Sequence, residues 1–205
     1  MLVVGLTGSI GMGKSTAAAR FRARGIGVFD ADAEVHRLYA GPLTEEIERA
    51  FPGTVSSGIV DRAKLSEHLI AAPHRFKDLE AIVHPHVHEA ERRFLQEEHA
   101  HGASLAVLEV PLFFEAGRDE HVDAIVVVTA SPETQRQRVL ARSGMTDVKF
   151  EVVIARQLSE AEKQARADFV VDTSGSVENC NSQIDLIITK LMPLSATAYD
   201  QFWRD

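Results

Sequence analysis

The residues with the clearest chemical pattern lie near the start of the chain, at Gly8–Ser15. They fit the pattern G-x-x-x-x-G-K-[ST] and directly follow the apolar run Leu2–Leu6. In such a loop the glycines let backbone N–H groups converge on phosphate oxygens, and the helix that follows turns the positive end of its dipole toward the same anion. Lys14 is placed to reach the β- and γ-phosphates of a nucleotide, and Ser15 to hold Mg²⁺. The pattern predicts a phosphate loop between a strand and a helix. The alternative, a Gly-rich turn with a chance lysine, would not explain why a strand precedes the loop and a helix follows it.

Two carboxylates, Asp30 and Asp32, follow the next predicted strand, residues 26–29. The carboxyl ends of parallel strands meet at one edge of a sheet, so we expect both near the phosphate loop. An ionised aspartate can accept a hydrogen bond from an acceptor hydroxyl, orient it for in-line attack and take its proton. For Asp30, capping of the next helix and a role at the acceptor hydroxyl are equal alternatives. For Asp32 we favour the role at the hydroxyl, because of the family resemblance described below.

Within residues 130–167 seven basic residues outnumber five acidic ones, although the whole chain has a net charge of −8. Arg138 and Arg142 are expected on one helix face because they are four residues apart. A seven-residue stripe follows along the next predicted helix: Lys149, Arg156 and Lys163. A mobile helical hairpin carrying cations could close over a nucleotide and bring charge onto the transferring phosphate. We interpret 131–166 as such a lid, although a solvated surface, with Glu160 neutralising its neighbours, remains the better interpretation for any single arginine.

Glu109 ends the apolar run 104–108 and is a second candidate for metal binding. An acidic residue at this point could hold Mg²⁺ or its waters, as the aspartate after a second hydrophobic strand does in phosphate-loop enzymes. The alternative is a glutamate at a strand end with no metal.

The elements that must position these residues alternate between β-rich runs and helical stretches. The predicted strands are 2–7, 26–29, 105–109, 123–129 and 168–172. Three of them are continuous apolar runs, typical of strands covered on both faces, so we predict an α/β fold with a mainly parallel sheet of about five strands flanked by helices. The resulting single domain has a core of 1–32, 104–130 and 167–205, a helical insertion at 33–103 and the lid at 131–166.

Composition excludes several other classes of function. The 205 residues suit one domain, and the net charge of −8 argues against a general nucleic-acid or anionic-membrane surface. The lone Cys180 cannot form an internal disulfide, and we find neither a signal peptide nor a run of transmembrane length, so we expect a cytoplasmic protein. The sequence leaves the oligomeric state open.

Further motifs extend along most of the chain in a fixed order. They are Gly5–Gly8, Asp30–Asp32 with His36, Val60–Arg62 with Leu65, Leu79–Pro85, Val110–Glu115 and Ala167–Asp172. Over about residues 3–175 these segments resemble the dephospho-coenzyme A kinase family. The His-Pro element together with Pro-Leu-Phe-Phe-Glu is far more specific than the phosphate loop alone.

The resemblance implies a nucleotide-kinase fold with a core, a lid and a helical substrate domain. It implies transfer of the ATP γ-phosphate, with Mg²⁺, to the ribose 3′-hydroxyl of dephospho-coenzyme A. Asp32 matches the family aspartate beside that hydroxyl, and Arg138 and Arg142 match its lid arginines. The residues expected at ATP are Gly8, Gly11, Met12, Gly13, Lys14, Ser15 and Thr16. Those expected at the acceptor substrate are Thr7, Asp32, Arg62, His84 and Pro85.

Two positions depart from the family pattern. Glu109 stands where the family usually has Asp, which lengthens the reach to Mg²⁺ by one methylene. Thr173 stands where Asn is frequent after the last strand, so adenine recognition by that loop would rely more on backbone groups. Neither change removes the phosphate loop or Asp32.

Other functions remain as alternatives. Asp172–Gly175 spells the D-x-x-G of nucleotide-dependent switches, although it falls late in the chain and no guanine-reading element follows. A kinase for another small acceptor, such as a nucleoside monophosphate or shikimate, is a second alternative. His84–His88 could suggest a metal, but we expect Pro85 in the first turn of a helix instead. We expect the end of the chain, with Trp203, to pack on the core.

Overall fold

The computed structural model of the protein describes residues 1–204 and divides into two compact units, residues 30–93 and the remainder. The strands are β1 Leu2–Thr7, β2 Gly27–Asp30, β3 Val55–Ser56, β4 Ile59–Val60, β5 Leu105–Glu109, β6 Ala124–Thr129 and β7 Phe169–Asp172. The α-helices are α1 Lys14–Ala23, α2 Ala31–Tyr39, α3 Thr44–Ala50, α4 Arg62–Ala71, α5 Phe76–Ala100, α6 Pro132–Leu140, α7 Asp147–Ile154, α8 Glu160–Ala165 and α9 Val177–Leu191. Within residues 1–204, no helix is both long enough and apolar enough to cross a membrane.

The main sheet has five strands in the order β2-β5-β1-β6-β7, and β1 pairs in parallel with both β5 and β6. Each strand lies within one residue of its predicted bounds. All residues of β1 and β5 are buried, because helices cover both faces of the central strands. The predicted fold, a mainly parallel five-stranded sheet flanked by helices, is confirmed.

Two apolar clusters cover the two faces of the sheet. On one face, Phe21 of α1 and Ile184 of α9 pack with Val4 and Val126. On the other, Leu95 of α5 packs with Val3, Leu108, Tyr199 and Trp203. These contacts hold β1 rigidly, and β1 leads directly into the phosphate loop.

The end of the chain is packed on the core, as predicted. Residues Tyr199–Trp203 form a π-helical turn, and Trp203 is fully buried. Its indole Nε1 donates a hydrogen bond of 2.8 Å to the carbonyl of His121. The carboxylate of Asp123 accepts from the backbone N–H groups of Thr197 and Ala198, at 2.7 and 2.9 Å. The tail is therefore fixed by both burial and charge-assisted hydrogen bonds.

The second unit is mainly helical, as predicted for the insertion, and also holds the antiparallel hairpin β3–β4. The sequence did not predict this hairpin, because strands of two residues are too short to show an alternating pattern. The unit comprises residues 30–93, whereas 94–103 of the predicted insertion belong to the first unit. Phe94 and Leu95 pack in the first unit's core, which explains that boundary.

Pro85 does not begin a helix, so that prediction is wrong. It lies inside α5, which starts nine residues earlier at Phe76. Val83, Val87 and Ala90 are buried at helical spacing, and their packing offsets the backbone hydrogen bond that a proline removes.

The predicted lid contains three helices rather than two, and its charge pattern differs from expectation. Arg142 lies beyond the end of α6 at Leu140 and does not share a helix face with Arg138. The turn around Gly144, whose φ is 73°, separates α6 from α7. Lys149 and Lys163 lie on different helices, so the continuous stripe is wrong as well. The seven-residue spacing of the basic residues does not show where one helix ends and the next begins. The start of α8 is marked instead by the capping box of Ser159.

Candidate active site

The phosphate loop connects β1 to α1 in the geometry that its glycines predict. Gly13 has a φ of 87° and caps α1, so the helix begins at Lys14 with its first N–H groups facing the loop. A Cβ on Gly8 would lie 2.4 Å from the carbonyl oxygen of Val128, so no larger residue fits there. The Lys14 ammonium donates to the carbonyl of Gly8 at 2.7 Å, which holds the lysine across the loop. This arrangement can accept an anion in the way phosphate loops do.

Arg138 and Thr173 support the loop from the side of β7. The Thr173 hydroxyl lies 2.8 Å from the carbonyl oxygen of Met12 and donates to it. Arg138 donates to the Thr173 carbonyl at 2.7 Å and to its hydroxyl at 3.0 Å. A Cβ on Gly13 would lie 2.8 Å from that hydroxyl, so Thr173 fits closely against the loop. The departure at Thr173 thus has a structural role, and Arg138 is held beside the loop.

The segment around α8 contacts the first half of the loop. Gln157 accepts a hydrogen bond of 3.1 Å from the N–H of Ile10. The Ser9 hydroxyl donates to a carboxylate oxygen of Glu160 and accepts at 2.9 Å from the Lys163 ammonium. Lys163 is fully buried, so it does not belong to the exposed cationic stripe that the seven-residue spacing predicted. Glu160 likewise bonds to Ser9 and does not serve only as a neighbour of Arg156.

Glu109 and Ser15 are the candidates for holding Mg²⁺. Glu109 is 6% exposed and lies opposite Leu6 in the β1–β5 register, at the edge of the sheet where the loop begins. Ser15 lies in the exposed first turn of α1. Their oxygens are of the kind that Mg²⁺ prefers, and Mg²⁺ is commonly held by one or two protein groups together with substrate phosphates. Within the described chain no three His, Cys, Asp or Glu side chains form a metal cluster.

Asp30 and Asp32 have different surroundings at the start of α2. A carboxylate oxygen of Asp30 accepts from the N–H of Ala33 at 2.9 Å, so Asp30 is the helix cap. Asp32 lies in the first turn and is exposed. Asp32 belongs to the second unit, and its role at an acceptor hydroxyl stays a prediction.

The predicted acceptor-binding residues are divided between the units. Thr7 is buried in the first unit, with its hydroxyl 3.4 Å from the carbonyl oxygen of Pro111. Arg62 begins α4, after the cap Asp61. His84 and Pro85 are exposed on α5.

Arg62 also influences a buried tyrosine of the second unit. Burial raises the pKa of Tyr39, and the positive charge of Arg62 partly opposes that rise. Tyr39 therefore stays protonated at neutral pH and keeps its hydroxyl as a donor.

The residues Asp172–Gly175 form a local turn. A carboxylate oxygen of Asp172 accepts from the N–H of Ser174 at 2.8 Å, and hydrogen bonds from Ser174 lower the Asp172 pKa. The carboxylate is thus occupied with its own turn, which gives the switch alternative no support.

Sequence reasoning missed the support that Gln135 and Gln157 give to the phosphate loop, and the hydrogen bonds of the loop residue Ser9 to Glu160 and Lys163. Gln135 donates to the Ile10 carbonyl at 2.8 Å from α6. A glutamine on a helix carries no spacing signal of its own, so only the fold reveals these contacts. Glu115 accepts a hydrogen bond from the N–H of Leu158 at 2.7 Å, and its place at the end of the Val110–Glu115 motif was its one signal in the sequence.

The sheet order, the phosphate loop after the central strand β1 and the residues that hold that loop define the class of phosphate-loop kinases. The solved structure of TT1252 from Thermus thermophilus has the same fold, with a TM-score of 0.76 and 37% sequence identity over 93% of this chain and 97% of that one.

Sequence comparison is more specific than fold. Residues 2–179 match the family described as dephospho-CoA kinase. The chain is 50% identical over 198 residues to the dephospho-CoA kinase of Brucella melitensis, covering 97% of this chain and 99% of that protein. It is 53% identical over 188 residues to that of Rhodopseudomonas palustris strain HaA2, covering 92% and 94%. The chain belongs to the dephospho-CoA kinase family, and the predicted resemblance is confirmed.

Proposed function

We propose that the protein transfers the γ-phosphate of ATP to the ribose 3′-hydroxyl of dephospho-coenzyme A, the last step of coenzyme A biosynthesis. The observation that carries the proposal is the family match, which includes the phosphate loop and covers nearly the whole chain. We also propose a cytoplasmic location, which the free thiol of Cys180 supports.

In phosphoryl transfer the protein mainly positions the two substrates and stabilises the negative charge on the transferring phosphate. Lys14 is already at the loop, and exchanging the Gly8 carbonyl for phosphate oxygens needs only a side-chain movement. Arg138 lies beside the same loop. The exposed Arg142 follows α6, and as a lid residue it would approach the transferring phosphate when the segment closes.

Mg²⁺ would be held by the Ser15 hydroxyl, with Glu109 binding the ion or its waters. The ion, when bound, neutralises charge on the phosphate oxygens. The strand end fixes the backbone of Glu109, so the extra methylene places its carboxylate farther from the strand than that of an aspartate would be.

At the acceptor, Asp32 would accept a hydrogen bond from the 3′-hydroxyl, orient it and receive its proton late in the transfer. Arg62, His84 and Pro85 would contribute to the coenzyme A site of the second unit, and Thr7 to the loop side. The exposure of Asp32, Arg62 and His84 leaves each accessible to a ligand.

The test is ADP release from Mg-ATP with dephospho-coenzyme A, adenylate, shikimate or no acceptor in parallel. Turnover should depend on dephospho-coenzyme A. Faster turnover with another acceptor would contradict the proposed substrate, and equal turnover without any acceptor would favour a nucleotide-dependent switch.

A further inference from the structure

A buried lysine contacts the phosphate loop in addition to the lysine of the loop motif. Lys163 on α8 has a fully buried side chain, and its ammonium donates to the Ser9 hydroxyl at 2.9 Å. The same ammonium lies 3.3 Å from a carboxylate oxygen of Glu115. A buried ammonium is costly unless it is paired and hydrogen-bonded, so this position is specified by its partners.

Two carboxylates are connected to this ammonium, Glu115 directly and Glu160 through the Ser9 hydroxyl. Glu160 accepts from the Ser9 hydroxyl, so Lys163 and Glu160 share one hydroxyl. Glu115 accepts from the N–H of Leu158 at 2.7 Å through one oxygen, and its other oxygen has no hydrogen-bond partner among the described residues. Without the lysine, two negative charges would stand beside a loop built to receive a highly anionic ligand.

These contacts all fall on the first half of the loop. Lys163 and Glu160 hold Ser9, while Gln157 and Gln135 hold the N–H and carbonyl of Ile10. In the second half Thr173 holds the Met12 carbonyl, and the N–H groups that begin α1 face the place where an anion would bind. The division suggests that α8 sets the conformation of the loop while its helical end binds phosphate.

We propose that Lys163 is a positioning residue of the phosphate loop, which fixes Ser9 and offsets the carboxylates of Glu115 and Glu160 so that the loop can receive a triphosphate. The inference deepens the proposed function, on which it rests only for the turnover measurements. It also links the α7–α8 segment to nucleotide affinity, since Gln157 lies between these helices and Lys163 lies on α8.

The first test measures binding of Mg-ATP without acceptor, by calorimetry, for Lys163→Met, with Lys190→Met as the control. Lys190 is an exposed lysine in the last turn of α9. We expect the Kd of Lys163→Met to rise about tenfold or more, in line with loss of a hydrogen bond to a charged group. A Kd within about twofold of the control, in a folded Lys163→Met protein, would overturn the proposal.

A second comparison separates charge balance from simple support of the fold. Adding Glu160→Gln to Lys163→Met removes one of the uncompensated charges, so we expect it to restore ATP affinity by about threefold or more. A purely structural lysine predicts no such recovery, and a further loss of affinity would contradict the role of charge.

A double-mutant cycle tests the contact itself. Ser9→Ala and Lys163→Met should be strongly non-additive in Kd and in kcat/KM, because both remove one interaction. Additive effects would overturn the assignment. If Lys163→Met does not fold, Lys163→Met/Glu115→Gln removes both charges of this ion pair and takes its place in the binding assay and the cycle. ATP binding is measured without acceptor. The effect of Lys163 on ATP affinity can therefore be judged even if dephospho-coenzyme A is not the acceptor substrate.

Discussion

Lys14 and Lys163 bring two ammonium groups to one loop in different ways. Lys14 is part of the loop motif and is partly accessible, whereas Lys163 is buried and contacts Ser9 from α8. Only the first is predictable from the sequence. A lysine in a helix is most often solvated, and its burial depends on how α8 packs against β6 and the loop.

Lys14→Ala should reduce kcat by on the order of 10²-fold or more, because electrostatic stabilisation of the phosphoryl group is lost. The thermal melt should stay near that of the wild type, because the Lys14 side chain is partly exposed and its 2.7 Å hydrogen bond to the Gly8 carbonyl lies within the loop itself. Steady-state kinetics and a melt of the same preparation check both statements. A normal kcat would show that Lys14 is not the phosphate lysine.

Asp32→Asn should lower kcat by about 10²- to 10⁴-fold, the range of positioned acid–base groups, and Asp32→Ala should lower it further. The amide oxygen of Asn can still orient a hydroxyl, whereas Ala cannot. A loose transition state asks little of the nucleophile, so early proton removal is not required.

Asp30→Ala is the matched control for Asp32, since Asp30 caps the same helix. Its loss should cost about 1 kcal/mol of stability and leave kcat nearly unchanged. Kinetics with ATP and acceptor saturating decide the point. Near wild-type turnover in both Asp32 variants would show that Asp32 has no role in catalysis.

At the scale of elements, α6 and the loop after it separate two arginines that the sequence places together. Arg138 is fixed by Thr173, whereas Arg142 is exposed beyond the helix. The alternation of strands and helices was predictable because strands covered on both faces have a clear apolar signature. The ends of short helices in the predicted lid were not, since their caps and turns depend on one or two residues each.

Arg142→Ala should lower kcat more than it weakens ATP binding, because a closing cation acts on charge in the transition state. The melt should be unchanged for this exposed residue. Arg138→Ala, by contrast, should also raise the Kd for ATP, because Arg138 supports Thr173 beside the loop. If Arg142→Ala changes only KM, with kcat untouched, Arg142 contributes uniform binding alone.

Helices α1 and α9 are joined by Asp185, which pairs with Arg20 and Arg24. Hydrogen bonds from Arg24 and Arg20 hold the Asp185 pKa well below its usual range. A lowered pKa in the folded state adds stability above the unfolded pKa of about 4, and this stability is lost as the pH falls through the folded pKa.

Asp185→Asn should therefore melt at a lower temperature than the wild type at pH 7, by a modest amount because the three side chains are partly exposed. The difference should shrink as the pH falls below about 4. Melts from pH 7 to pH 2 measure it. If the difference in melting temperature stays constant from pH 7 to pH 2, the ionised form of Asp185 does not contribute to stability.

At the scale of the whole molecule, the end of the chain completes one face of the core. Trp203 is fully buried, whereas its neighbour Phe202 is 38% exposed. Trp203→Ala should lower the free energy of unfolding by about 3–5 kcal/mol, as large core truncations do, and Phe202→Ala by much less.

Urea denaturation followed by far-UV circular dichroism measures both variants. Equal losses for Trp203→Ala and Phe202→Ala would contradict the packing of the tail. The division of the chain at residues 30 and 93 was harder to predict than this packing, because α5 continues through the boundary without a break in its helical pattern.

The fate of the phosphoryl group tests the central claim most directly. With [γ-³²P]ATP and dephospho-coenzyme A, the account predicts label in coenzyme A that a 3′-nucleotidase releases, and none with Lys14→Ala. Label found only in inorganic phosphate, or in a product that the 3′-nucleotidase leaves intact, would contradict it.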